Sequence, residues 1–206
     1  MQADAKKAEL IPLLLLRGRT LLFKEYSKRA LSEFSKDLRR RNFERIYIMD
    51  LDGLERNRPQ LDIVQRLSDD FGILYEGGPR RGANIVDFIM AGAEVAYMNS
   101  ASLESFDELE IALSYTENVG FKVDWDHGII GEPFKDRALR DVVQDCAKLG
   151  IRDFVVPVEV ISQLGSIRSV PNLVLRAIAD RPGDENARDI DADSIIIDHE
   201  LIKDGS

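Results

Sequence analysis

Residues 73–82 read Ile-Leu-Tyr-Glu-Gly-Gly-Pro-Arg-Arg-Gly (ILYEGGPRRG). A short apolar run ends at Glu76, two glycines follow, and from Ala83 the apolar residues recur at helical spacing. Strand, tight turn and helix in that order make one βα unit. Glycines at such a turn often cradle a phosphate, because bare backbone N–H groups approach it closely. Glu76 opposes that role, since a carboxylate at the strand end repels a phosphate. The alternative is that Gly77-Gly78 makes only a tight turn, with Glu76 neutralised by Arg80 or Arg81.

The same unit recurs along the chain. Apolar, β-rich runs at 10–16, 45–50, 73–76, 94–98, 119–124, 153–158 and 194–198 alternate with segments of helical period at 27–41, 60–71, 83–91, 106–117, 135–149 and 172–179. The runs around Ile46, Val119, Phe154 and Ile195 are nearly continuous in apolar residues, which suits parallel strands covered on both faces. Thr20 to Phe23 reads as a small extra strand after the turn Arg17-Gly18-Arg19. Ser27, Asp107 and Pro171-Asn172 are helix entry signals, and Gly92 and Gly150 follow helical segments as C-terminal glycines do. A succession of βα units means a parallel sheet, open or closed. Seven strands exceed the roughly five of an open doubly wound sheet, so the expectation is a closed (βα)8 barrel of the TIM type. Such barrels typically need about 250 residues, and this chain has 206. The deficit falls between Ile161 and Asp193, where one helix and the polar stretch 181–189 leave the seventh βα unit missing or degenerate. A barrel broken there exposes strand edges, which predicts a homodimer that covers them.

With 44% hydrophobic residues, the chain suffices for one buried core, read as one domain over 1–206. The net charge of -9 argues against a nucleic-acid partner. Arg39-Arg40-Arg41 lies in an amphipathic helical pattern and reads as a solvated face. The longest apolar run, at 10–16, is too short to span a bilayer, and no signal-peptide pattern precedes it; the expected compartment is the cytoplasm, with no membrane partner. The lone Cys146 falls on the apolar stripe of its helix and reads as core.

Six short motifs, in order, resemble the HisA/HisF-type barrels of histidine biosynthesis, and most closely the phosphoribosylformimino-AICAR-phosphate isomerase branch. Ile11-Pro12 resembles that family's opening strand IPAIDL, and Ile48-Met49-Asp50-Leu51-Asp52-Gly53 its VVDLDG. Glu76-Gly77-Gly78-Pro79-Arg80 resembles GGGIR, and Met98-Asn99-Ser100-Ala101 stands where the family has GTAA. Val123-Asp124-Trp125-Asp126-His127-Gly128 resembles LDARDG, and Pro171-Asn172-Leu173 resembles PNL. The resemblance covers roughly residues 10–180 and 190–202, the latter as a last strand with its phosphate turn. It implies a (βα)8 barrel that converts a phosphorylated aminoaldose to an aminoketose, with one carboxylate as general acid and another as general base. The acid carries over to Asp124. The base position falls on Leu15, which accepts no proton, so isomerase activity of that kind is in doubt. One phosphate site carries over in part, to Gly77, Gly78, Arg80, Asn99 and Ser100. The other meets Asp198-His199 in place of a glycine turn.

Independently of the resemblance, strand ends carry Asp50, Glu76, Asp124 and Asp198, with Glu159 nearby. In a barrel these ends form one mouth. The candidate catalytic residues are Asp124, as the resemblance implies, and Asp50, as a strand-end acid able to replace the missing base; the resemblance also makes a phosphorylated small molecule the candidate ligand. Such a ring of acids with His127 and His199 also has the chemistry of a divalent-cation site, against the plainer alternative of helix caps and ion pairs. No metal and no cofactor is expected. Three functions stand open: an isomerase-like enzyme, a barrel kept for binding or assembly without catalysis, and a metal-dependent enzyme.

Overall fold

The structure, a computed structural model, describes residues 8–22, 28–179, 190–198 and 201–202. In chain order, β1 (Glu9–Arg17) turns at Gly18 into the short antiparallel ribbon β2 (Thr20–Leu22) and β3 (Lys28–Arg29). Helix α1 (Leu31–Arg40) leads to β4 (Arg45–Asp50), which runs directly into α2 (Leu51–Arg56) and then α3 (Leu61–Ser68). Next come β5 (Gly72–Glu76), α4 (Ile85–Met90), β6 (Ala93–Asn99), α5 (Glu108–Tyr115), β7 (Val119–Lys122) and α6 (Leu139–Leu149). The chain ends in β8 (Asp153–Pro157), a 3-10 segment (Val158–Ser169), β9 (Val174–Ala179) and β10 (Ser194–Asp198).

Eight of these strands pair in parallel in the order β1-β4-β5-β6-β7-β8-β9-β10, and β10 pairs back onto β1, with Ile11 opposite Ile196. The sheet is thus a closed barrel of the TIM type. Both faces of each strand are covered, as the continuous apolar runs require. In β1, Ile11, Leu13 and Leu15 face the barrel interior, while Leu14 and Leu16 pack under the helices. One edge of β1 pairs with β10 over residues 9–13 and with β2 over 15–17, so the ribbon flanks the mouth beyond the end of β10.

The closed barrel is as expected from the sequence, but the missing seventh strand is corrected: the segment 172–179, expected as a helix, is that strand. Pro171-Asn172 makes a turn, with Asn172 at φ 59°, instead of a helix entry. What remains short is the return from β9 to β10, whose residues 180–189 lie outside the described part, as do Ser27, Phe23 and His199. Because the barrel closes on itself, it leaves no open edge for a second subunit to cover, and the argument for a dimer loses its premise. Helix α2, which the sequence spacing did not mark, is present, and 28–29 are strand instead of helix. Cys146 is buried, and burial pushes its thiol up to about 12.

Arg176 explains why the seventh strand escaped notice. It places a cation on the inward face of an otherwise apolar β9. Its guanidinium forks onto Asp153 at 2.7–3.1 Å and donates to the Ser194 hydroxyl at 3.0 Å. The Tyr97 hydroxyl donates to the same Asp153 at 2.7 Å. Asp153 and Ser194 open β8 and β10, so this network closes the N-terminal end of the barrel and fixes β9 between its neighbours. Arg176 and Asp153 are 9% and 13% exposed at their side chains. Removing one partner strands a buried charge, which typically costs about 3–5 kcal/mol. Asp153→Ala is therefore expected to lower the urea unfolding free energy by about that amount, with Asp153→Leu/Arg176→Met recovering most of it. A loss under about 1 kcal/mol in the single variant contradicts this assignment.

Candidate functional site

The barrel interior is layered. Above the Arg176 network lies an apolar layer formed by Ile11, Leu13, Leu74, Val155, Ile178 and Ile196. Tyr47 and Tyr97 cross it with ring centroids 5.5 Å apart. Tyr97 sends its hydroxyl down to Asp153, and Tyr47 sends its hydroxyl up to Glu76, the last residue of β5, at 2.8 Å.

Glu76 is the floor of the mouth. Its carboxylate accepts from Tyr47 and from the Asn99 amide at 2.6 Å, and the Lys122 ammonium stands 3.4 Å away. Lys122 donates in turn to Asp124. Lysine and aspartate sit two residues apart, so the alternation of a strand puts both on the inward face. Asp124 also accepts from the Ala101 N–H at 3.0 Å and from the Ser100 hydroxyl at 3.4 Å, while its own N–H donates to Ser100 at 2.8 Å. Exposure grades outward along the stack: the side chains of Glu76, Lys122 and Asp124 are 1%, 9% and 15% exposed. Burial holds Glu76 above the ordinary glutamate range; Lys122 pulls it down, Asp124 pushes it up, and the bonds from Tyr47 and Asn99 lower it. Asn99 is buried, and its carbonyl oxygen has no hydrogen-bond partner among the described residues.

The structure separates the candidate residues that the sequence grouped. Asp50 does not face the mouth. Tyr47 and Met49 point inward and Asp50 outward, where it caps α2. It accepts from the N–H groups of Asp52 and Gly53 at 3.1 Å each, from Gln60 N–H at 2.5 Å and from the Tyr75 hydroxyl at 2.7 Å. Burial raises its pKa, and those four bonds draw it back. Its strand-end position made it look like a mouth residue; its face decides otherwise.

The expected partners of Glu76 are also corrected. Arg80 donates to the Leu54 carbonyl at 2.9 Å and Arg81 to Glu104 at 3.0 Å, so neither neutralises Glu76; Lys122 does. Gly77-Gly78 lies against α2. A Cβ on Gly53 would come 2.4 Å from the Gly77 carbonyl oxygen, and one on Gly78, at φ 63°, would come 2.7 Å from the Leu54 Cα. The two motifs thus explain each other as close backbone packing. Asn99 and Ser100 are turned to Glu76 and Asp124.

Leu15 does stand at the mouth, in register with Met49, and like Leu51 and Leu54 it packs against the inner apolar cluster, so that sector is apolar. Asp198, opposite Leu13 and two residues past the inward Ile196, adds a half-buried acid. Beyond Asp124 the chain makes a tight hairpin, bridged Trp125 to Ile129, with His127 at φ 53° and its side chain fully exposed. An open cleft of about 600 Å³ lies along this hairpin, lined by Trp125, Ile129, Lys135, Arg140 and Gln163 among others. Among the described residues, no group of three His, Cys, Asp or Glu side chains is placed to hold a metal ion. Nor is any helix among them long and apolar enough to cross a membrane.

No family model and no curated protein matches the chain; what is shown is the TIM-type barrel.

The raised Glu76 gives a pH test. A carboxyl whose folded pKa lies above its unfolded value binds protons more tightly in the folded state, so it costs stability as pH rises from the unfolded value, about 4.5, through the folded one. Glu76→Gln removes that dependence. Its stability relative to the native chain is expected to rise with pH above about 4.5 when urea unfolding is compared from pH 4 to 8. A constant difference across that range contradicts the raised pKa.

Proposed function

We propose that this barrel is an acid–base enzyme that moves protons on a small hydroxy-carbonyl metabolite, an isomerase-type activity of the sugar class. Asp124 meets the substrate, and Lys122 and Glu76 supply and store the proton. The observation that carries this is the buried relay Glu76–Lys122–Asp124 at the C-terminal mouth. Burying two carboxylates and an ammonium is costly, and active sites are where such groups cluster with shifted pKa values. The resemblance to the HisA/HisF-type barrels supports the same group, because Asp124 stands where that family has its acid.

The histidine-pathway reaction itself is less well supported than a relative of it. Leu15 offers no base, and Lys122 stands between two of the mouth's acids, Glu76 and Asp124, with Asp198 a third acid there. A bisphosphate is a poor fit to that charge. If the substrate carries a phosphate, the loop Gly77-Gly78 with Arg80 is the proposed place for it, one phosphate only, since Asn99 and Ser100 serve the carboxylates.

A second reading, a barrel that binds a ligand without turnover, is favoured by the apolar sector around Leu15. One assay separates the two. The purified chain is incubated in deuterated water with a panel of aldoses, ketoses and their monophosphates, and exchange at the carbon beside the carbonyl is followed by NMR. The enzyme reading expects catalysed exchange that Asp124→Asn lowers about 100- to 10,000-fold, the usual contribution of a general acid or base, with an unchanged circular dichroism spectrum. Saturable binding with no exchange supports the second reading, and exchange untouched by Asp124→Asn contradicts the first.

A further inference from the structure

We propose that Lys122 is a covalent nucleophile: it forms an imine with the carbonyl carbon of an aldehyde or ketone substrate. This deepens the acid–base function proposed above and rests on it.

Three observations lead there. The first is position. Lys122 ends β7 on the inward face, below the partly exposed Asp124 and above the buried Glu76, so a carbonyl entering the mouth past Asp124 reaches the amine first. A purely structural ion pair needs one carboxylate for one ammonium; here the ammonium lies between two.

The second is the proton. An ammonium does not attack a carbonyl, so Lys122 has to lose a proton to react. Glu76, 3.4 Å away and fully enclosed, is suited to receive it. Moving one proton from Lys122 to Glu76 turns two buried charges into two neutral groups, and a dry interior favours that direction. Asp124 lies at the wetter end, where two other donors, Ala101 N–H and the Ser100 hydroxyl, hold its carboxylate. Lysines desolvated in this way are the ones that form Schiff bases.

The third is an unmet acceptor. The carbonyl oxygen of buried Asn99 has no partner among the described residues, while its amide nitrogen is bonded to Glu76. A hydroxyl donor beside the reacting carbon, on the substrate or on the carbinolamine, satisfies it.

The step balances. The neutral amine of Lys122 adds its electron pair to the carbonyl carbon, and the carbonyl oxygen takes the proton that the nitrogen gives up, leaving a neutral carbinolamine. The nitrogen then expels that oxygen as water, protonated by the proton that Glu76 took from Lys122 and that the Asp124 carboxylate accepts and passes on. One ammonium and one carbonyl become one protonated imine and one water, with no change in net charge. The protonated imine acidifies the neighbouring C–H, which is the proton whose exchange the acid–base function moves.

The experiment is reductive trapping on the intact chain. The protein is mixed with glycolaldehyde, dihydroxyacetone or glyceraldehyde 3-phosphate, sodium borohydride is added, and the labelled lysine is located by peptide mass spectrometry. The expected result is one adduct per chain at Lys122, at least about tenfold above any surface lysine, as for a lysine activated by its site. Glu76→Gln, which removes the proton acceptor, is expected to suppress the adduct. Label spread over surface lysines with Lys122 unmodified overturns the proposal, whatever the variants do. If Lys122 stays unmodified while Asp124→Asn still abolishes proton exchange, the imine falls and the acid–base function stands. If no probe exchanges and none is trapped, both fall.

Discussion

A closed parallel barrel has to fill its own interior, and this one fills it with charge. Between its two ends, two buried polar networks are stacked with an apolar layer between them. Each network is anchored by a tyrosine that crosses that layer. At the N-terminal end, Arg176 answers Asp153 one for one. At the mouth, Lys122 answers two carboxylates, and one of those, Asp124, opens toward solvent. The first arrangement is complete and fastens the strands; the second holds one acid more than it holds cations. That imbalance, held in a dry wall, gives the mouth its chemistry.

The surrounding elements serve this stack. Asp50 caps α2 and fixes where that helix leaves β4, and α2 crosses so close to the β5 turn that only glycines fit at positions 53 and 78. The glycine pair after Glu76 is in this sense a packing solution. It lets the loop fold back against α2 while Glu76 stays inside the barrel. The residues that follow on β6, Asn99 and Ser100, hold the two carboxylates from a neighbouring strand.

Much of the fold was legible in the sequence because its signals are local. Continuous apolar runs with helical segments between them gave seven of the barrel strands, and the closed barrel followed. The seventh strand was hidden by a charged residue whose partner, Asp153, lies more than twenty positions away. The site was only half legible for the same reason. Strands apolar on both faces carry no alternation from which to tell inside from outside, so Asp50 and Glu76 looked alike at their strand ends. Lys122 was readable in principle, two residues before Asp124 and hence on its face. Tyr47 was not, because nothing local ties it to Glu76.

The account depends on Glu76 being a buried, proton-retaining acid whose charge is governed by Lys122. The most direct measurement is a pH titration of the Glu76 side-chain carboxyl by carbon-13 NMR, in the native chain and in Lys122→Met. Glu76 is expected to titrate above the ordinary glutamate value of 4.5, and higher still once the Lys122 charge is removed. A Glu76 that titrates at the ordinary value and does not respond to loss of Lys122 would contradict the account.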